Sequence, residues 1–450
     1  MPTRFILTLL LFGAVVQASG TSLQELCRLG IQNNPKLKSF AYKNRASESY
    51  YDQSVDRYLP QMSVSGQYGR DNYRYQYPKT IDKHIGRSYN YQVNLRQPIY
   101  REQLIHGITD ANARRKLAEL QMEDEKAKLI SMIISDSVEL IRQRKIVSVL
   151  RRKTDVLKKA YENIMKKYSM QLASNADKFQ ALAMMQKSKS DLVKAKQRYN
   201  SNLYNLRLLV KSQNVERYVS TLDFDLDAVA KQYRHANFAS IKRSIRENTR
   251  VKLDIQSVRI AKVLIDLRNS ERSPQIDAVL SYGDTGGTVD QVTRQNESRA
   301  MISLNYPFYQ GGYVSDRTKE AKYLYFAARE EAENTRLNVK ISMEKSLQDI
   351  KGGLESVRAY RAAVEASRKN FEAMTQSYQS GISSLTDAYL AESDYRDNQI
   401  RLINSEADIY VALTNAYYLG GESDMTHIKL MQRKFYKRRH SKKIKNSGKK

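Results

Sequence analysis

The chain has 450 residues, 28% of them charged and 41% hydrophobic, with a mean hydropathy of -0.64, values that exclude a bundle of membrane-spanning helices. Lys and Arg outnumber Asp and Glu by 76 to 48, and the resulting charge of +28 points first to a nucleic-acid partner. A single cysteine, Cys27, excludes an intramolecular disulfide framework and a Cys-based zinc site.

Residues 1–20 read as a secretory signal peptide: a basic start to Arg4, a mostly apolar run from Phe5 to Val16, and small residues around Ala18. That run is too short to span a bilayer as a helix, and no later stretch approaches the length of a spanning helix. Export removes nucleic acid from the list of partners. Cys27 follows Gln24-Glu25-Leu26, which lacks the small residues of a lipid-anchor site, so it reads as a core thiol.

Beyond the leader, prolines stand at 35, 60, 78, 98, 274 and 307, and the long proline-free regions are rich in strong helix formers. The spacing predicts a first unit over 21–210: a short helix, a strand pair over 61–99, a long helix over 101–168 and a shorter helix over 174–210. Leu150, Leu157 and Ile164 step by seven within the long helix, as in a coiled coil. A linker over 211–234 leads to a second unit over 235–420, with a short helix, a strand pair over 275–309, a long helix over 313–377 and a shorter helix over 385–420. Residues 421–450 read as a disordered basic tail, and ten Lys/Arg with no acid lie between Arg433 and Lys450.

The strand segments alternate with period two. Tyr89, Tyr91, Val93 and Leu95 interleave with Ser88, Asn90, Gln92, Asn94 and Arg96, while Ala300, Ile302, Leu304 and Tyr306 interleave with Arg299, Met301, Ser303 and Asn305. Such alternation suits a half-buried soluble sheet or a tilted strand crossing a bilayer. Export, the lack of another sheet to pack on, and tyrosines at the strand ends (Tyr68, Tyr73, Tyr75, Tyr77, Tyr100, Tyr309, Tyr313) favour the bilayer. The halves repeat: Leu95–Tyr100 recurs as Leu304–Tyr309, Tyr168–Asp177 as Tyr378–Asp387, and Leu59-Pro60 has its counterpart in Ser273-Pro274.

With Ser22–Leu26, Asn33–Leu37, Leu59–Gln61, Pro307–Gly312 and Tyr378–Asp387 in this order and duplicated, the chain resembles the TolC-like outer membrane factor family over about residues 21–420. The resemblance implies a mainly α fold with a membrane β part: a long helical coiled-coil barrel below a 12-stranded trimeric β-barrel, to which each chain contributes four strands. It implies a homotrimer in the outer membrane of a Gram-negative bacterium, with outer-membrane lipid around it. The partners would be a periplasmic adaptor protein and an inner-membrane transporter, and the role an export duct of a tripartite efflux or type I secretion system.

The same resemblance places a pore gate at Tyr378, bonding Asp177, with Asp387 as a ring carboxylate. The second acidic residue often found three positions later is here Leu390, with Glu392 nearby, and Ser383 stands where some members carry a basic residue. Adaptor contacts fall at Met170, Gln171, Ser174, Gly381, Ser383 and Leu385. No catalytic grouping, cofactor motif or metal-ligand spacing is visible, so the chain reads as a non-enzyme. A periplasmic or surface coiled-coil scaffold or adhesin without a pore is the alternative, and it has no use for two duplicated strand pairs.

Overall fold

The computed structural model describes residues 22–76, 81–227, 229–230, 244–288, 294–421 and 435–437. The leader expected at 1–20 lies outside them, as do Tyr77, the side chains of Tyr73 and Tyr75, and parts of the expected linker and tail.

Helices α1 (Ser22–Asn33) and α2 (Pro35–Asp56) lead to strands β1 (Gln61–Gln76) and β2 (Ile81–Arg101), then to α3 (Glu102–Ser169) and α4 (Asn175–Val210). The short α5 (Val215–Ser220) and β3 (Leu222–Phe224) precede α6 (Thr249–Asn269), β4 (Gln275–Gly287), β5 (Arg294–Asn305), α7 (Tyr313–Gln379) and α8 (Leu385–Leu419). A last strand, β6 (Phe435–Lys437), pairs antiparallel with β3. Those three residues fall inside the stretch 421–450 expected to be a disordered basic tail, most of which lies outside the described residues.

With 68 and 67 residues, α3 and α7 are each about 100 Å long at ~1.5 Å per residue. α3 pairs with α4, and α7 with α8, as two hairpins. Neither long helix is apolar enough to cross a membrane; among the described residues no helix is. Leu150, Leu157 and Ile164 are all buried along α3, as their heptad spacing predicts. The main core gathers where the short helices wrap the hairpins, with Leu23, Leu26, Ile133, Ile141, Leu206 and Tyr410 almost wholly enclosed. Cys27 belongs to this core, and burial pushes its thiol up to about 12. A smaller cluster of Leu157, Ile164, Ala181 and Tyr389 lies near the far end of the hairpins.

The Asn33-Asn34-Pro35 run has a mechanical reason. Asn34 caps α2, accepting from Lys36 N (2.9 Å) and Leu37 N (3.2 Å), with Pro35 at a position that needs no donor. Its amide also donates to Leu209 O at 3.1 Å, tying α2 to the end of α4. Asn248 repeats the device in the second unit, accepting from Arg250 N (3.0 Å) and Val251 N (3.3 Å) and donating to Leu419 O (3.0 Å).

Four strands form one antiparallel sheet in the order β1-β2-β4-β5. Opposed residues of an antiparallel ladder share a face, and here the register matches apolar with apolar: Met62↔Leu95, Val64↔Val93, Leu95↔Leu280, Ala278↔Ile302 and Ile276↔Leu304. The opposite face carries Ser63↔Asn94, Asn94↔Ser281 and Asp277↔Ser303. The apolar face is not covered: Met62, Val64, Ile302 and Leu304 are all exposed. β1 and β5 each have one unpaired edge among the described residues.

Proline marks where the two strand pairs differ. β5 ends at Asn305, short of the expected 309, because Pro307 supplies no ladder N–H. β2 continues past Pro98 through a bulge that leaves Ile99 unpaired. Tyr58 stabilises that bulge, its hydroxyl donating to Ile99 O at 2.9 Å. Beside it, Arg96 and Arg101 both donate to the buried Asp277 carboxylate, fastening the sheet to the start of α3.

Candidate functional site

The two hairpin turns carry the residues singled out by the sequence. In the first, Gln171 takes a left-handed conformation (φ 62°), and Ser174 begins α4 with a capping box: Asp177 N donates to Ser174 Oγ at 3.1 Å, and Ser174 N donates to the Asp177 carboxylate at 3.1 Å. In the second, Gly381 is left-handed (φ 75°), Asp387 N donates to Ser384 Oγ at 3.1 Å, and Ser384 N donates to Asp387 at 3.2 Å. The Ser174 hydroxyl and N–H hold the Asp177 carboxyl below the usual carboxylate range.

The hydrogen bond expected between Tyr378 and Asp177 is not made within the chain. Asp177 is engaged by Ser174, and the Tyr378 hydroxyl instead accepts from Lys167 Nζ at 3.2 Å, with the same ammonium 5.0 Å from the ring centroid. Lys167 was not singled out by sequence; its signal was a cation one turn before the end of α3, opposite Tyr378. Tyr168, the counterpart of Tyr378 in the first unit, is likewise faced by a lysine, Lys178, at 4.6 Å.

Around the turns, Met170, Gln171, Ser174 and Gly381 are exposed, together with Leu172, Phe179 and Ile382. Ser383 and Leu385 are only half-exposed. Ser383 Oγ donates to Met374 O at 3.4 Å, and Leu385 packs on the Leu157–Tyr389 cluster, so Leu385 serves the tip core more than the outer surface.

On α8 the exposed positions are Asp387, Leu390, Asp394, Asp397, Arg401, Asp408 and Asn415, a single stripe at helical spacing. Asp394 therefore shares a face with Asp387, two turns or ~10 Å away, with Leu390 between them. Sequence reading looked beside Leu390 and found Glu392. Glu392 points the other way, into the seam between the hairpins, and its side chain is 1% exposed. Among the described residues no cluster of three or more His, Cys, Asp or Glu is placed to hold a metal ion.

Two long helical hairpins below a four-stranded sheet with an apolar face and open edges define the fold of an outer-membrane channel subunit. The sequence pattern of the outer membrane efflux protein family matches residues 26–210 and 241–421, one match in each repeated half, and the chain belongs to that family. It is similar to the outer membrane protein TolC of Salmonella enteritidis, with 20% identity over 94% of this chain and 86% of that protein. It is also 21% identical to TolC of Vibrio cholerae, over 87% of this chain and 89% of that one. Among solved structures, the Campylobacter jejuni CmeC outer membrane channel superposes with a TM-score of 0.77 at 14% identity, covering 92% of this chain and 89% of that one.

Proposed function

We infer that this chain is one subunit of an export duct that carries substrate across the periplasm and outer membrane without catalysis. The observation that carries the reading is the four-stranded sheet, whose register gathers the apolar side chains on one exposed face while both edges stay open. In lipid an unpaired edge is not tolerated, so the sheet closes only with other copies of itself. Three copies, the number implied by the family resemblance, give a 12-stranded barrel with Met62, Val64, Val93, Leu280 and Leu304 toward lipid. The polar set around Ser63, Asn94 and Ser303 then lines water, and Tyr100, Tyr309 and Tyr313 sit at the interface level. The scaffold or adhesin reading gives this apolar face no role.

The hairpins continue the conduit toward the inner membrane. Their tips are the gate, formed by Tyr378, held on Lys167, together with Asp177, and by Asp387 and Asp394 as two carboxylate rings separated by Leu390. Met170, Gln171, Ser174, Gly381 and Ser383, with the exposed Leu172 and Ile382, meet the adaptor of a tripartite efflux or type I secretion system.

Planar-bilayer recordings test the reading. Purified protein gives discrete single-channel steps, and Tyr378→Phe combined with Asp177→Ala raises their conductance; an unchanged conductance removes the gate from these residues. Val93→Arg or Leu304→Arg destabilises the barrel by about 2–4 kcal/mol, whereas Asn94→Arg or Ser303→Arg costs far less. Equal tolerance on the two faces rejects the barrel.

A further inference from the structure

Between the hairpins, close to the tips, lies a cavity of about 540 Å³ walled by α3 (Val156, Ala160), α7 (Phe371, Thr375) and α8 (Tyr389, Glu392). Glu392 is enclosed there, and neither of its carboxylate oxygens has a hydrogen bond. The Tyr389 hydroxyl, one turn earlier, is also buried without one. We propose that Glu392 is a proton-operated latch on the seam between the two hairpins: neutral, it packs α8 against α3, and ionised, it drives the seam apart and draws water into the cavity. The latch rests on the gate reading only for its effect on conduction.

The groups facing Glu392 explain why its ionised form is poorly served in the closed seam. On its own helix, Arg396 Nε stands 3.5 Å away without a hydrogen bond, while that guanidinium donates to Gln399 at 3.2 Å and lies over the Tyr395 ring. From α3, Lys153 acts on it at longer range, but its ammonium donates to Ser393 Oγ at 2.9 Å and stands 3.8 Å from Asp397. From α7 the only titratable group at the cavity is Tyr378, held by Lys167, which lies with Lys166 at the cavity edge. α4 contributes Ala181 and Met184 to the adjoining cluster, neither of which titrates. Desolvation outweighs the attraction of Arg396 and Lys153 and pushes the Glu392 carboxyl up to about 7.

The direction follows by linkage. In an opened, hydrated seam Glu392 returns toward its ordinary value of 4.5. Opening therefore releases a proton, and the closed seam is favoured in full below that value. It loses ground as pH rises to about 7 and loses no more above it. Across this window the ratio of open to closed seams rises on the order of a hundredfold per chain.

The test places spin labels at exposed Lys158 on α3 and Lys369 on α7 in the full-length assembly, diluted with unlabelled chains, while Cys27 stays buried and unlabelled. Label distances and single-channel conductance are read from pH 4.5 to 8. The latch predicts a distance that lengthens up to pH 7 in the parent and stays at its low-pH value in Glu392→Gln, which keeps the shape and removes the charge. A parent distance that ignores pH, or one that shifts equally in both proteins, overturns the latch. Loss of channel steps with the pH-dependent distance intact leaves the latch standing and removes the duct reading; channel steps with a pH-insensitive distance do the reverse.

Discussion

At the tip of the first hairpin, Gln171 turns left-handed, Ser174 caps α4 through Asp177, and Phe179 lies exposed; 210 residues later, Gly381 makes the same turn, Ser384 caps α8 through Asp387, and Tyr389 is buried. The offset continues into the helices, where half-buried Leu182 stands opposite buried Glu392 and Gln186 opposite buried Arg396. The turn is a backbone device, and both copies kept it because one left-handed residue and one capping serine are what reverse the chain. What each helix buries next is free to diverge. Near the tip α4 buries Ala181 in the cluster with Leu157 and Ile164 of its own partner α3, whereas α8 turns a face with three unsatisfied polar groups, on Tyr389, Glu392 and Arg396, against α3. On the latch proposal, the second hairpin therefore carries the titrating side of the seam.

The sharpest way to break this contrast is truncation at the matched aromatic pair. Tyr389→Ala opens a void beside Leu157 and Ile164 and costs about 3 kcal/mol of local stability. Phe179→Ala, at a side chain 60% exposed, stays within about 0.5 kcal/mol. Hydrogen exchange at the two tips reads both. Comparable losses would mean that the hairpins bury their tips alike in the assembled protein. Tyr389→Phe adds a finer probe: it deletes a buried hydroxyl with no partner, and it leaves stability unchanged or raises it by about 1 kcal/mol.

Much of this was legible beforehand, and the rest has identifiable physical reasons. Proline spacing and the heptad through Leu150, Leu157 and Ile164 foretold the long helices, because both act locally. Alternation through Val93 and Leu304 foretold strands, because a period of two has few other uses. The role of Glu392 was not legible: whether an acidic residue on α8 faces the stripe of Asp387 and Asp394 or the seam depends on how two hairpins lean together. Nor was Lys167, whose partner lies 211 residues away. Asn34 was visible as part of a motif, but its twin Asn248, with no proline after it, was not.

A middle-sized effect comes from the left-handed residue. A side chain at φ > 0 costs roughly 1–2 kcal/mol, so Gly381→Gln destabilises the second tip by about that much and Gln171→Gly relieves the first. Nothing lies within 4 Å of a Cβ placed at Gly381, so the cost there is purely conformational. Exchange rates at the two turns should therefore move in opposite directions. Movement in the same direction would show that Gln171 is held by a contact made only in the assembly.

The smallest expected effect is the matched pair of caps. Ser174 and Ser384 each accept an N3 amide at 3.1 Å, and their hydroxyls donate to Asp177 and Asp387 at 2.7 and 2.6 Å. Geometry so nearly identical at two exposed sites predicts equal costs, about 1 kcal/mol for Ser174→Ala and for Ser384→Ala. Equality in hydrogen exchange would assign both aspartates the same resting task. A distinctly smaller cost at Ser384 would mean that Asp387 spends much of its time off the cap, turned with Asp394 toward the pore. That inequality would separate the gate carboxylate from its counterpart without any measurement of current.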